Sequence, residues 1–180
     1  MNKSFTNVYL IGPMGSGKTS IGLRLAKLLG LEFLDNDHEL EKQTGASVGL
    51  IFDLEGEEGF RKRETAMLKK LVARQNILLA TGGGTVVRKE NRELLRNSGL
   101  VVYLRTSVGQ QLRRLSQDKS RPLLQSANRE EKLARLAEER NPLYEQLADL
   151  TFPSQNRSLD AASRALYKAI QSYRKVDAES

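Results

Sequence analysis

The chain contains no cysteine. That excludes disulfides, thiolate zinc sites and a cysteine nucleophile, and it suits a reducing compartment. Long apolar runs are missing as well. Residues Met1 to Thr6 are polar, and the run that follows, Val8 to Ile11, is far too short for the core of a signal sequence or a membrane span. The expected location is cytoplasmic, with no membrane partner. No Pro-, Gly- or Ser-rich linker and no repeat of fixed period interrupts the 180 residues, so a single domain over 1–180 is expected. With 39% hydrophobic residues, that length suffices for a core.

The net charge is +7. A basic balance suits either nucleic acid or a small polyanionic ligand, and the distribution of charge decides between them. From Arg105 to Arg140 there are nine basic residues against five acids, so more than half of the excess lies in one segment. The acids are interleaved with the bases, and the stacking aromatics of a single-strand groove are missing there. No nucleic-acid partner is expected.

Short apolar runs alternate with longer segments of helical period, the signature of an α/β fold with a parallel sheet. Strands are expected at 8–11, at 31–34 running into Asp35, at 77–80, at 100–104 and, weakly, at 150–152. The first helix is expected over 18–29, with Ile21, Leu25, Leu28 and Leu29 on one face and Gly30 closing it. Residues 37–70 have helical period but carry glycines at 45, 49, 56 and 59, which predicts several short helices. Further helices are expected near 107–117, 129–147 and 159–173, with disorder after Tyr173.

Between the first strand and the first helix stands Gly12-Pro13-Met14-Gly15-Ser16-Gly17-Lys18-Thr19, a phosphate-binding loop of the form Gly-x4-Gly-Lys-[Ser/Thr]. The glycines let the loop curl with its N–H groups inward, and the helix N-terminus adds a positive dipole end. Lys18 is expected to reach the β- and γ-phosphates of a nucleoside triphosphate, and the Thr19 hydroxyl to ligate Mg²⁺.

The loop names a phosphoryl donor and leaves the acceptor open. There is no apolar strand ending in an Asp-Glu pair and no guanine-reading Asn-Lys-x-Asp. Asp35 and Asp37 follow the second strand, and alternation along an extended chain puts them on one side, toward the carboxyl edge of the sheet. One carboxylate can hold the water shell of Mg²⁺ and the other can orient an attacking hydroxyl. Asp37 reads equally well as a helix N-cap, and His38 beside it as a surface residue. Arg61, Arg121 and Arg140 are each either a planar fork for a carboxylate or phosphate or part of a solvated face. Pro142 would kink the helix carrying Arg140 and turn that guanidinium inward. Gly82, Gly83 and Gly84 end the third strand as either a close-approach anion site or a flexible turn.

Taken together, residues 12–19, Phe-Leu-Asp-Asn-Asp (33–37), Gly-Glu-Glu-Gly-Phe-Arg (56–61), Ala-Thr-Gly-Gly-Gly (80–84), Arg-Pro-Leu-Leu (121–124) and Arg-Asn-Pro-Leu-Tyr (140–144) closely resemble the shikimate kinases, in order and spacing. The resemblance implies an NMP-kinase-like P-loop fold, a three-layer α/β/α arrangement around a five-stranded parallel sheet. It implies ATP and Mg²⁺ as cofactors and transfer of the γ-phosphoryl group to the 3-hydroxyl of shikimate, a step of the chorismate and aromatic amino-acid pathway. Substrate-binding helices are expected over about 36–64 and a mobile lid over about 116–128.

The resemblance also distributes roles. Gly15, Ser16, Gly17, Lys18, Thr19 and Ser20 hold ATP. Arg114 and Arg157 flank the adenine, and Arg121 closes on the phosphates from the lid. Asp37, Arg61, Gly82, Gly83, Gly84 and Arg140 hold shikimate, the arginines taking its carboxylate and the aspartate its ring hydroxyls. Thr19, with Asp35 acting through water, serves the metal. Lys18, Asp37 and Arg121 are the expected catalytic groups. Asn36 departs from the family's usual Ser or Thr while leaving both carboxylates in place. A monomer is expected. The rivals are a kinase of another small hydroxy acid such as gluconate, a nucleoside monophosphate kinase, and a non-catalytic ATP- or nucleic-acid-binding module.

Overall fold

The computed structural model describes residues 6–116, 128–154 and 157–179. Its centre is a five-stranded sheet of β1 (Val8–Ile11), β2 (Glu32–Asp35), β3 (Ile77–Ala80), β4 (Leu100–Arg105) and β5 (Leu150–Pro153), in the order β2-β3-β1-β4-β5. Every pairing is parallel. Strands that run the same way need crossovers, and the helical segments between the apolar runs supply them. These are α1 (Lys18–Leu29), α2 (Asn36–Thr44), α3 (Val48–Val72), α4 (Lys89–Ser98), α5 (Val108–Leu115), α6 (Arg129–Leu147) and α7 (Leu159–Glu179).

The sheet is buried on both faces, which is why β1, β3 and most of β4 are continuous apolar runs with no polar alternation. Val8 and Leu10 point to one side, where Ile21 and Leu25 of α1 and Leu166 and Ile170 of α7 cover them. Tyr9 and Ile11 point to the other, against Phe60 and Leu68 of α3, Leu95 of α4 and Tyr144 of α6. Each such side chain contributes about 1.5–3 kcal/mol by leaving water. β2 and β5, at the edges, are only partly covered.

Several expectations need correction. Leu28 is 45% exposed, because the buried face of α1 runs through Ile21, Gly22, Leu25 and Ala26. Helix α4 was not foreseen, since its ten residues are mostly polar and only Leu95 and Asn91 are buried. α7 continues to Glu179, so residues 174–179 are helical where disorder was expected. α6 passes Pro142 as one continuous helix, and Arg140 faces inward because Leu133, Arg140, Tyr144 and Leu147 share its buried stripe. The expected interruption of 37–70 holds at two glycines only. Gly45 ends α2, and Gly56, at φ 71° and ψ −178°, breaks α3 into arms 48–55 and 57–72. Only glycine adopts that backbone at no steric cost. The second arm carries Arg61 and runs to Val72, close to the expected end of the helical pattern at 70.

Candidate active site

Strands β1, β2 and β3 all deliver their following turns to the carboxyl edge of the sheet, where open α/β folds bind ligands. The turn after β1 is the phosphate loop. Gly12, Gly15 and Gly17 have φ of 147°, 74° and 89°, so the curl depends on residues without a Cβ. A Cβ on Gly12 would also stand 2.8 Å from the Leu104 carbonyl oxygen. Lys18 Nζ reaches back over the loop, donating to Gly12 O at 2.6 Å and Pro13 O at 2.9 Å. Ser16 is fully buried. Gln111 of α5 donates to Met14 O at 2.8 Å and pins the loop from outside.

Beside the loop lies a cleft of about 450 Å³. Residues Gly15 to Ile21, Asp35, Gly82 and Gly83 line one end, and Arg114, Phe152, Ser154 and Arg157 line the other. Arg114 donates to Gly15 O at 2.9 Å and to Ser154 Oγ at 2.8 Å, bridging the phosphate loop to the end of β5. The Arg157 guanidinium lies 5.9 Å from the Phe152 ring centroid. Arg121 and nearly all of the expected lid lie outside the described residues.

The Thr19 hydroxyl donates to Asp35 Oδ2 at 3.0 Å, and Asp35 Oδ1 accepts from the His38 N–H at 3.1 Å. Asp35, not Asp37, is therefore the N-cap of α2. The extended alternation expected for the two carboxylates does not occur, because the helix begins at Asn36 and carries Asp37 in its first turn. Asn36 is fully buried, and among the described residues neither of its amide atoms has a partner. His38 is exposed, as expected.

Asp37, Arg61 and Arg140 come from three different helices and converge on three consecutive glycines. A Cβ on Gly82 would lie 3.3 Å from Asp37 Oδ1, one on Gly83 3.6 Å from Arg140 Nη1, and one on Gly84 2.2 Å from Arg61 Nη2. The bare backbone of 82–84 thus makes room for one carboxylate and two guanidinium groups. Both arginines are 7% exposed. The two buried guanidinium groups flank adjacent glycines of one turn, an arrangement able to accept the oxygens of an anion through charge-assisted bonds.

Sequence reasoning missed the supports of this arrangement. Glu64, only 1% exposed, accepts from Arg61 Nη1 at 2.9 Å through one oxygen and from Thr85 Oγ1 at 2.9 Å through the other. The Phe60 ring lies beneath the Arg61 guanidinium, 5.2 Å from centroid to Cζ. Tyr144, fully buried, donates to Gly83 O at 2.5 Å. Burial pushes its phenol far above the usual range, against the smaller lowering effect of the Arg140 charge. The Arg61–Glu64 spacing of three residues within a helix was the one available signal.

Comparison with known proteins places the chain in a family. The family model described as shikimate kinase matches residues 14–171. The shikimate kinase of Vibrio parahaemolyticus serotype O3:K6 is 51% identical over 165 residues, covering 92% of this chain and 96% of the relative. The solved shikimate kinase from Acinetobacter baumannii in complex with shikimate is 50% identical, with a TM-score of 0.86 over 93% of this chain and 92% of that one. A deoxyadenosine kinase from M. mycoides, 16% identical with a TM-score of 0.60 over 92% of this chain and 98% of its own, shares the fold alone. The five-stranded parallel sheet with its phosphate loop is thus the α/β P-loop kinase fold, and the chain belongs to the shikimate kinase family.

Proposed function

We propose that the chain, acting as one kinase domain, transfers the γ-phosphoryl group of ATP to the 3-hydroxyl of shikimate, giving shikimate 3-phosphate and ADP. In this reading it serves the route to chorismate and the aromatic amino acids. The observation that carries the reading is the meeting of Asp37, Arg140 and Arg61 with Gly82, Gly83 and Gly84 at the rim of the loop-lined cleft. Two guanidinium groups suit the single carboxylate of the acid, and the carboxylate of Asp37 suits its ring hydroxyls.

ATP would occupy the cleft, its phosphates on the N–H groups of Gly15 to Ser20 and its adenine between Arg114 and Arg157. Thr19 and Asp35 present oxygens side by side, which fits Mg²⁺, an ion that takes one or two protein oxygens and completes its shell with water and phosphate. Thr19 would ligate it directly and Asp35 through water, and its chemistry there is charge neutralisation of phosphate oxygens. Lys18 and, from the lid, Arg121 would offset the charge of the transferring group. Asp37 would orient the acceptor hydroxyl and accept its proton late. Closure would keep water from competing with that hydroxyl.

Among the described residues no helix is long and apolar enough to cross a membrane. A cytoplasmic monomer with no nucleic-acid partner completes the proposal, and sizing in solution tests the monomer. The function itself is tested by ADP release with shikimate, gluconate and AMP in parallel. Shikimate-dependent release is expected. Release with gluconate or AMP instead would move the chain to the corresponding kinase class, and salt-sensitive oligonucleotide binding without turnover would make it a binding module.

A further inference from the structure

The hydroxyl of Tyr144 has a place that packing alone does not require. Tyr144 stands one turn after Arg140 on α6, and its ring stacks on Tyr103 of β4 with centroids 5.1 Å apart. A phenylalanine ring would fill that space as well. The hydroxyl instead carries a polar group into a fully buried position, which is unfavourable unless it is bonded there. It is bonded to the backbone: it donates to Gly83 O at 2.5 Å, with the Arg140 charge near enough to act against the rise in the phenol's pKa. Arg140 Nη1 in turn lies 3.6 Å from the point where a Cβ on Gly83 would stand. One oxygen atom therefore holds the glycine turn in place beside the guanidinium that flanks it. The peptide plane is rigid, so holding Gly83 O also fixes the direction of the Gly84 N–H. Burial raises the phenol's pKa, so the donor stays protonated throughout the neutral and mildly alkaline range.

We propose that Tyr144 is a positioning residue for the acceptor, setting the spacing between the Arg140 guanidinium and the Gly83 backbone that together receive shikimate. The inference rests on the reading of Arg140 and Gly83 as acceptor-side groups. Tyr144 does not itself line the nucleotide cleft, whereas Gly83 does, so the two KM values read separately decide which substrate it serves.

The test is steady-state kinetics of the full chain and of Tyr144→Phe, with shikimate and ATP varied separately. The expected result is a rise in KM for shikimate of about three- to tenfold, the equivalent of one neutral hydrogen bond. KM for ATP and kcat stay within about twofold, because no donor-side or reacting group is touched. A second arm adds Arg140→Lys and the double variant. If Tyr144 acts through Arg140, the two effects on shikimate KM are less than additive. An unchanged KM for shikimate in Tyr144→Phe, an equal rise in both KM values, or full additivity in the cycle would overturn the inference. A wild-type protein with no shikimate-dependent turnover would instead overturn the underlying reading, and the same series distinguishes that case.

Discussion

The phosphate loop takes residues 12–19 from a single turn of chain and shapes itself with backbone, whereas the proposed acceptor side gathers Asp37 from α2, Arg61 from α3, Gly82 to Gly84 from the turn after β3 and Arg140 from α6. The loop's geometry comes from three glycines at positive φ and from a lysine folded onto its carbonyls. The geometry of the proposed acceptor side comes from groups held by other buried side chains, Glu64 and Thr85 behind Arg61 and Tyr144 behind Gly83. A donor site of the first kind is a property of local sequence. One of the second kind exists only when the whole sheet has formed, and its precision depends on residues that touch no substrate.

The sharpest break in this comparison is Lys18→Ala. Removing the one lysine of the loop should lower kcat by about 10³-fold while the protein stays folded, since one preorganised charge-stabilising donor is worth that much. Rapid-quench or coupled assays of ADP formation, with circular dichroism as control, check it. A paired glycine test comes next, because the same chemical change should act differently on the two sides. Gly84→Ala keeps an ordinary φ of −94° but places its Cβ on the tip of the Arg61 side chain. The fold should survive while KM for shikimate rises by about 10–50-fold, as expected when a binding group is displaced by an ångström or more. Gly12→Ala sets its Cβ against a backbone oxygen at positive φ, and so should cost about 1–3 kcal/mol of stability. Thermal melts should show that as a fall of several degrees in Tm.

Smaller effects probe the acceptor side alone. Arg140→Lys keeps the charge but loses the planar fork, so KM for shikimate should rise about tenfold with KM for ATP unchanged. Glu64→Gln leaves an acceptor for Arg61 but removes the charge, which should raise the same KM about threefold. If both variants changed KM for ATP instead, the separation of the two sides would fail.

How much of this could be read from the sequence follows the same division. The loop, the positions of the apolar strands and the glycine break at 56 are local, and the structure has them where the spacing predicts. Asp37 was identified on a wrong local premise. The chain turns helical at Asn36, so it is the first turn of α2, not an extended strand, that brings the carboxylate to Gly82. Glu64 is paired with Thr85 across 21 residues and Tyr144 with Gly83 across 61, and no periodicity reports contacts of that range. The charge-rich α4 escaped for a different reason, since its only apolar residues, Leu94 and Leu95, are adjacent and show no helical spacing.

The central claim is that the acceptor hydroxyl sits beside Asp37, within reach of the γ-phosphate that the loop would hold. Its most direct test is γ-phosphoryl transfer from ATP to shikimate by wild type and Asp37→Asn, followed as shikimate 3-phosphate formed per ADP released. The account predicts one product per ADP in the wild type and a rate lower by about 10²-fold or more in Asp37→Asn, the amount a positioned acid–base group contributes. Equal rates in the two proteins would contradict it.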